Sequence, residues 1–175
     1  LLKYYKNGQL SEAENLAISL TKEFPTHSFG WKVLGVILGD TGRKNEALRV
    51  HQKAIEIAPQ DTGSYNNLGN TLKGLGRFEE AELSFKQSIK LNPKSSIAHN
   101  NMGTLLKETE RLDEAKRSFE EAIKLNPEFA EAHNNLGLTL VDLHKYEEAE
   151  VSYNKAIIFN PNFAEAYNNL GIALR

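Results

Sequence analysis

The sequence predicts an all-α solenoid of stacked helix pairs, and three observations carry that prediction. The five prolines, Pro25, Pro59, Pro93, Pro127 and Pro161, follow one another at intervals of 34 residues. Gly35, Gly69, Gly103, Gly137 and Gly171 keep the same interval, as do Ala13, Ala47, Ala81, Ala115 and Ala149. Within each interval two stretches place apolar residues at helical spacing. A fixed period of this length marks an array of supersecondary units, each burying its apolar face on its neighbours.

Position 1 of a repeat is taken as the third residue after its proline. Full repeats then span 28–61, 62–95, 96–129 and 130–163. Residues 1–27 are the later part of a preceding repeat and 164–175 the opening of a fifth, so residues 1–175 read as a single array. The first helix of each repeat buries positions 4, 7, 8 and 11, which share one face at about 100° per residue. In the second repeat these are Tyr65, Leu68, Gly69 and Leu72. Glycine at position 8 lets a neighbouring helix approach closely. The helical pattern breaks at Gly8, Gly42 and Gly76, which read as turns. A second helix follows, with Ala81, Phe85, Ser88 and Ile89 as its inner face in the second repeat. Glu79–Glu80, Asp113–Glu114 and Glu147–Glu148 fall in its first turn, where carboxylates favour the helix dipole. The Asn-Pro pairs at 92–93, 126–127 and 160–161 end it, because a residue preceding proline avoids the helical region.

A 34-residue unit with aromatic-x-x-Leu-Gly-x-x-Leu, then Ala-x-x-x-aromatic, then Pro resembles the tetratricopeptide repeat (TPR). Trp31, Leu34, Gly35, Ala47 and Pro59 carry the resemblance in repeat one. Tyr65, Leu68, Gly69, Ala81, Phe85 and Pro93 carry it in repeat two. The resemblance covers the whole chain. It implies a TPR solenoid: a right-handed superhelix of antiparallel helix pairs, with the first helix of each pair lining a concave groove. Departures are His51 in place of the usual aromatic, Leu at position 11, and a loose first partial repeat.

Composition narrows function. With 21 Lys+Arg against 23 Asp+Glu, no basic excess is available for a nucleic-acid backbone. No apolar run reaches the roughly 20 residues of a membrane helix. There is no cysteine, hence no disulfide and no thiolate metal site. The chain begins Leu1-Leu2-Lys3, without an initiator Met or a signal-peptide layout, so it is expected to start inside a longer protein. Nothing in the residues fixes its compartment, and a cytoplasmic one is the expectation.

No catalytic constellation is visible, and neither cofactor nor metal is expected. The histidines are His27, His51, His99, His133 and His144, and none has metal-ligand spacing. His99 and His133 share position 4 with Tyr65 and Tyr167 and read as half-buried packing rings. Glu82–Lys86 and Glu120–Lys124 read as ion pairs on solvated helix faces. Gly74-Leu75-Gly76 lies in a repeat turn and is no phosphate loop.

One column departs from this pattern. Position 6 lies opposite the buried face and holds Val33, then Asn67, Asn101, Asn135 and Asn169. Position 5 adds Asn66, Asn100, Asn134 and Asn168. Asparagine gains nothing from a helix interior. Two readings account for the column. Either the amides are inherited copies of a recently duplicated repeat or bond between adjacent repeats, or they form a ladder along a groove. A carboxamide donates and accepts together, so it can grip the backbone of an extended peptide. The ladder, strongest at position 6, is the expectation adopted. It is similar to that of O-linked N-acetylglucosamine transferases, which implies substrate-backbone contacts for Asn67, Asn101, Asn135 and Asn169. Lys32-Val33 ends it in repeat one. The dicarboxylate clamp of chaperone-binding TPR proteins is absent, since no position 6 is Arg.

The expected role is non-catalytic binding of a protein or peptide in the groove. Candidate contact residues are Asn67, Asn101, Asn135 and Asn169, with Asn70, Lys73 and Lys107, while Glu108 and Glu131 add charge. Alternatives are the substrate-docking arm of a larger enzyme such as a glycosyltransferase, or a self-assembly scaffold. Self-association is expected through the ends. At one lie Leu1, Leu2, Tyr4 and Tyr5; at the other, Tyr167, Leu170, Gly171 and Leu174.

Overall fold

A computed structural model describes residues 1–173. Leu174, part of the expected terminal face, lies outside the described residues. Eleven helices and no strands are found among those described: α1 (Leu2–Lys6), α2 (Leu10–Glu23), α3 (Ser28–Asp40), α4 (Lys44–Ile57), α5 (Thr62–Gly74), α6 (Phe78–Leu91), α7 (Ser96–Glu108), α8 (Leu112–Leu125), α9 (Ala130–Asp142), α10 (Tyr146–Phe159) and α11 (Ala164–Ala173). The fold is an all-α TPR solenoid, as the period predicts. The contacts divide it into two compact units, Leu1–Asn92 and Pro93–Arg175.

In the first unit α3 pairs with α4 and α5 with α6, while α2 packs on α3 and α4 on α5. In the second, α7 pairs with α8 and α9 with α10, and α8 packs on α9 and α10 on α11. The alanine column explains the closeness of these pairs: Ala13, Ala47, Ala81, Ala115 and Ala149 are fully buried. The glycine column explains it further. A Cβ on Gly69 would sit 2.5 Å from the Phe85 ring, one on Gly103 2.7 Å from Phe119, and one on Gly137 2.5 Å from Tyr153. No side chain larger than hydrogen fits under these rings without moving them. Gly35 plays the same part beneath His51.

The turns between paired helices need a left-handed residue at position 15. Gly42 and Gly76 supply it with φ of 80° and 74°. In the second unit Glu110 and His144 adopt φ of 59° at that position, without glycine. A side chain there costs backbone strain.

The acidic first turns are held by more than the helix dipole. Glu46, Glu80, Glu114 and Glu148 each pair with the basic residue three positions earlier, Arg43, Arg77, Arg111 and Lys145. The expected Glu82–Lys86 pair forms at 2.7 Å. The expected Glu120–Lys124 pair does not: Lys116 takes Glu120 at 3.6 Å, and Lys124 takes Glu121 at 3.1 Å. All of these side chains are on helix surfaces, where competing partners differ by only tenths of a kcal/mol.

Position 4 does more than pack. Trp31 Nε1 donates to the Pro25 carbonyl at 3.0 Å. The Nε2 atoms of His99 and His133 lie 3.1 and 2.9 Å from the carbonyls of Pro93 and Pro127. A ring N–H here satisfies the carbonyl that the broken helix leaves open. His133 also stacks on Phe159, and burial lowers its pKa.

Candidate functional site

The asparagine column behaves differently in the two units. In the second unit position 5 is buried in α7 and α9, where Asn100 is 5% and Asn134 1% exposed, and exposed at Asn168 in α11. The Asn100 and Asn134 amides face the next repeat. Asn135 Nδ2 donates to Asn100 Oδ1 at 3.1 Å, and Asn169 Nδ2 donates to Asn134 Oδ1 at 3.0 Å. Asn134 Nδ2 in turn reaches Glu165 Oε1 at 3.4 Å. Position 6 is half-buried at Asn101, Asn135 and Asn169. Each position-6 amide that bonds this way still has a carbonyl oxygen and a second N–H. The inter-repeat bonds weighed in the sequence are therefore present, and they explain why asparagine is tolerated within these helices.

In the first unit the pairing partner is missing. Position 5 of repeat one is Lys32, whose ammonium goes to Asp61 at 3.2 Å. Asp61 also caps α5 by accepting from Ser64 N at 2.9 Å. Burial alone would raise the Asp61 carboxyl, but hydrogen bonds from Ser64 and Lys32 outweigh it and hold it below its usual pKa. Asn67 is half-buried, and among the described residues its side chain makes no hydrogen bond.

Asn67 borders a cleft of about 290 Å³ between α3, α4 and α5. Gly39 and Asp40 form one wall, and Asn70, Thr71 and Gly74 the other. Lys44 closes the end by donating to the Gly74 carbonyl at 2.8 Å. The Asp40 carboxylate accepts from Tyr5 Oη at 2.6 Å, which pushes the Tyr5 phenol up to about 12. His51 lies on Gly35 at the base and is 1% exposed. Its Nδ1 has no hydrogen-bond partner. Burial pushes its pKa down to about 4, so the imidazole is neutral at pH 7.

The corresponding place in the second unit is bridged. Lys107 and Asp142 occupy the positions of Gly39 and Gly74, and they form an ion pair at 3.0 Å. Lys107, expected as a groove contact, thus already holds a partner between two first helices. Of the other expected contacts, Asn70, Glu108 and Glu131 are exposed and Lys73 is half-buried. The cleft itself was not legible as a site. Its only sequence signals are His51 in an aromatic column and two glycines outside the repeating columns.

Family models place the chain in the class that its helix pairs define. Tetratricopeptide-repeat models match residues 33–58, 64–95, 84–117, 130–163 and 152–175, and a TPR-repeat model matches 105–143. The chain belongs to the tetratricopeptide repeat family. A search of curated proteins by sequence finds no match. Solved structures share the fold at low identity. A thermophilic TPR protein of Thermus thermophilus superposes with a TM-score of 0.88 at 22% identity, over 99% of this chain and 94% of that one. MamA gives 0.74 at 21%, over 93% and 95%. YrrB, described as a TPR protein with an unusual peptide-binding site, gives 0.68 at 21%, over 94% and 85%.

Proposed function

We propose that the chain is a protein-interaction scaffold that holds an extended peptide segment along its first helices. The observation that carries this reading is the half-buried carboxamide at position 6 in α5, α7, α9 and α11. Amides spaced by one repeat suit a backbone, whose donors and acceptors recur regardless of side chain. Asn67, Asn101, Asn135 and Asn169 are the backbone contacts, with Asn70 and Lys73 beside them. Lys107 contributes through its pair with Asp142, by fixing the rim.

Binding of the 175-residue chain to an arrayed peptide library, followed by titration calorimetry on the best sequence, tests the reading. Asn67→Ala should weaken the peptide about fivefold, since one neutral hydrogen bond contributes about 1 kcal/mol net, and it should leave thermal stability unchanged. A library without binders, or affinities indifferent to Asn67→Ala and Asn101→Ala alike, would sink the reading.

A second association is proposed for α11. Tyr167 is 51% and Ile172 59% exposed there, and a Cβ on Gly171 would meet nothing within 4 Å, where the other column glycines meet a ring. Uncovered apolar surface of this kind favours association. The 175-residue chain should sediment as a concentration-dependent oligomer, and Tyr167→Lys with Ile172→Lys should return it to monomer. Unchanged sedimentation of that double variant would remove α11 from the interface.

A further inference from the structure

The cleft of the first unit has no packing reason to exist. A Cβ on Gly39 would meet nothing within 4 Å, so no neighbour requires glycine there. Glycine within a helix costs about 1 kcal/mol against alanine. A Cβ on Gly74 would meet only the end of the flexible Lys44 side chain, at 3.3 Å. These two glycines stand where Lys107 and Asp142 bridge the second unit at 3.0 Å. The result is an open space of about 290 Å³ lined in part by polar residues, Asn67, Asn70, Thr71 and His51 among them. Among the described residues, the side chains of Asn67, Asn70 and Thr71 form no hydrogen bond. At the base the buried His51 Nδ1 has no partner either. A buried polar atom without a partner destabilises a fold unless something else satisfies it.

We propose that this cleft is a recognition pocket for a carboxamide, the side-chain end of a glutamine or asparagine carried by the bound segment. The chemistry of the walls selects it. Asp40 and Lys44 have opposite charge and are already engaged, by Tyr5 and by the Gly74 carbonyl. A charged guest would therefore leave water without a counter-ion, which is costly. An apolar guest would seal His51, Asn67 and Thr71 away from any partner. A hydroxyl offers a single donor. A carboxamide offers two donors and an acceptor, the complement of two asparagine amides, a hydroxyl and a neutral imidazole.

The inference rests on the peptide-binding reading only for how the carboxamide arrives, so the test uses a free probe. N-acetyl-glutamine methylamide is titrated into the 175-residue chain, alongside its leucine and glutamate analogues. Binding is followed by the nitrogen resonances of the His51 ring and the side-chain amide resonances of Asn67 and Asn70. The glutamine probe should shift all three saturably and bind about thirtyfold more tightly than either analogue, the difference that two neutral hydrogen bonds supply. His51→Phe, which matches Phe85 and Phe119 at the same repeat position and so should fold, should lose that preference. Gly39→Lys with Gly74→Asp should close the cleft and abolish binding, while the Asn135 amide signals stay in place. Equal shifts with all three probes, no shift at the His51 nitrogens, or full glutamine binding by the closed variant would each overturn the proposal. If the probe binds and no library peptide does, the peptide reading fails and the pocket stands. The reverse pattern overturns the pocket alone.

Discussion

The two units are built on one repeat and finished in opposite ways. The second unit completes its interior: Phe119 and Tyr153 cover glycines, Asn100 and Asn134 receive amides from the next repeat, and Lys107 reaches Asp142. Its cost lies in the turns, where Glu110 and His144 are left-handed without being glycine. The first unit has relaxed turns at Gly42 and Gly76, and an incomplete interior. His51 lacks a partner, Asn67 lacks the asparagine it would bond, and Gly39 and Gly74 leave the gap unbridged. The pattern of the repeat thus fixes backbone geometry and leaves the polar groups between repeats free to serve either cohesion or a guest.

Substitution at the covering ring should separate the units most. Phe119 is fully buried, so Phe119→Ala should cost about 3–5 kcal/mol in chemical denaturation. His51→Phe should act in the other direction and raise stability by about 1 kcal/mol, since it removes a polar atom with no partner. A destabilising His51→Phe would mean that the imidazole is satisfied in the folded chain.

Acid should expose the same asymmetry. The His51 pKa is about 4 when folded against 6.5 for an ordinary imidazole, so the unfolded chain binds the extra proton between those values. Stability is then complete above about pH 6.5 and declines as pH falls toward 4, by about 3 kcal/mol in all. Urea midpoints measured between pH 7 and 4 should fall steeply for the natural chain and less for His51→Phe. Parallel slopes would remove His51 as the cause.

The asparagines should divide next. Asn135→Ala removes the donor to the buried Asn100 carbonyl and should cost about 1–3 kcal/mol, whereas Asn67→Ala should stay within about 0.5 kcal/mol. Equal costs would place both amides in the same role. The smallest effect concerns the turns: Glu110→Gly should stabilise by about 1 kcal/mol, by relieving the left-handed strain. Gly76→Ala, at the matching position of the first unit, should cost a similar amount. Thermal midpoints of the two variants that move together would break this part of the comparison.

The sequence by itself determined the period, the two helices of each repeat, and the glycine that sits beneath a ring. These features are local or repeat at fixed intervals, so spacing and residue type specify them before any neighbour is known. The turns at Glu110 and His144 were not legible, because the tertiary path imposes the left-handed conformation on residues that do not prefer it. The asparagine column could be found but not interpreted. Whether an amide bonds Asn100 or stands free as in Asn67 depends on the residue that stacking brings beside it, and that residue is asparagine in one unit and Lys32 in the other. The same holds for Lys116, which takes Glu120 where the sequence suggested Lys124. Side-chain partners of nearly equal energy are chosen by three-dimensional adjacency, and only the packed structure supplies it. The cleft belongs to that second kind of information. Gly39, Gly74 and His51 lie far apart along the chain, and they form a site only because three helices bring them to one place.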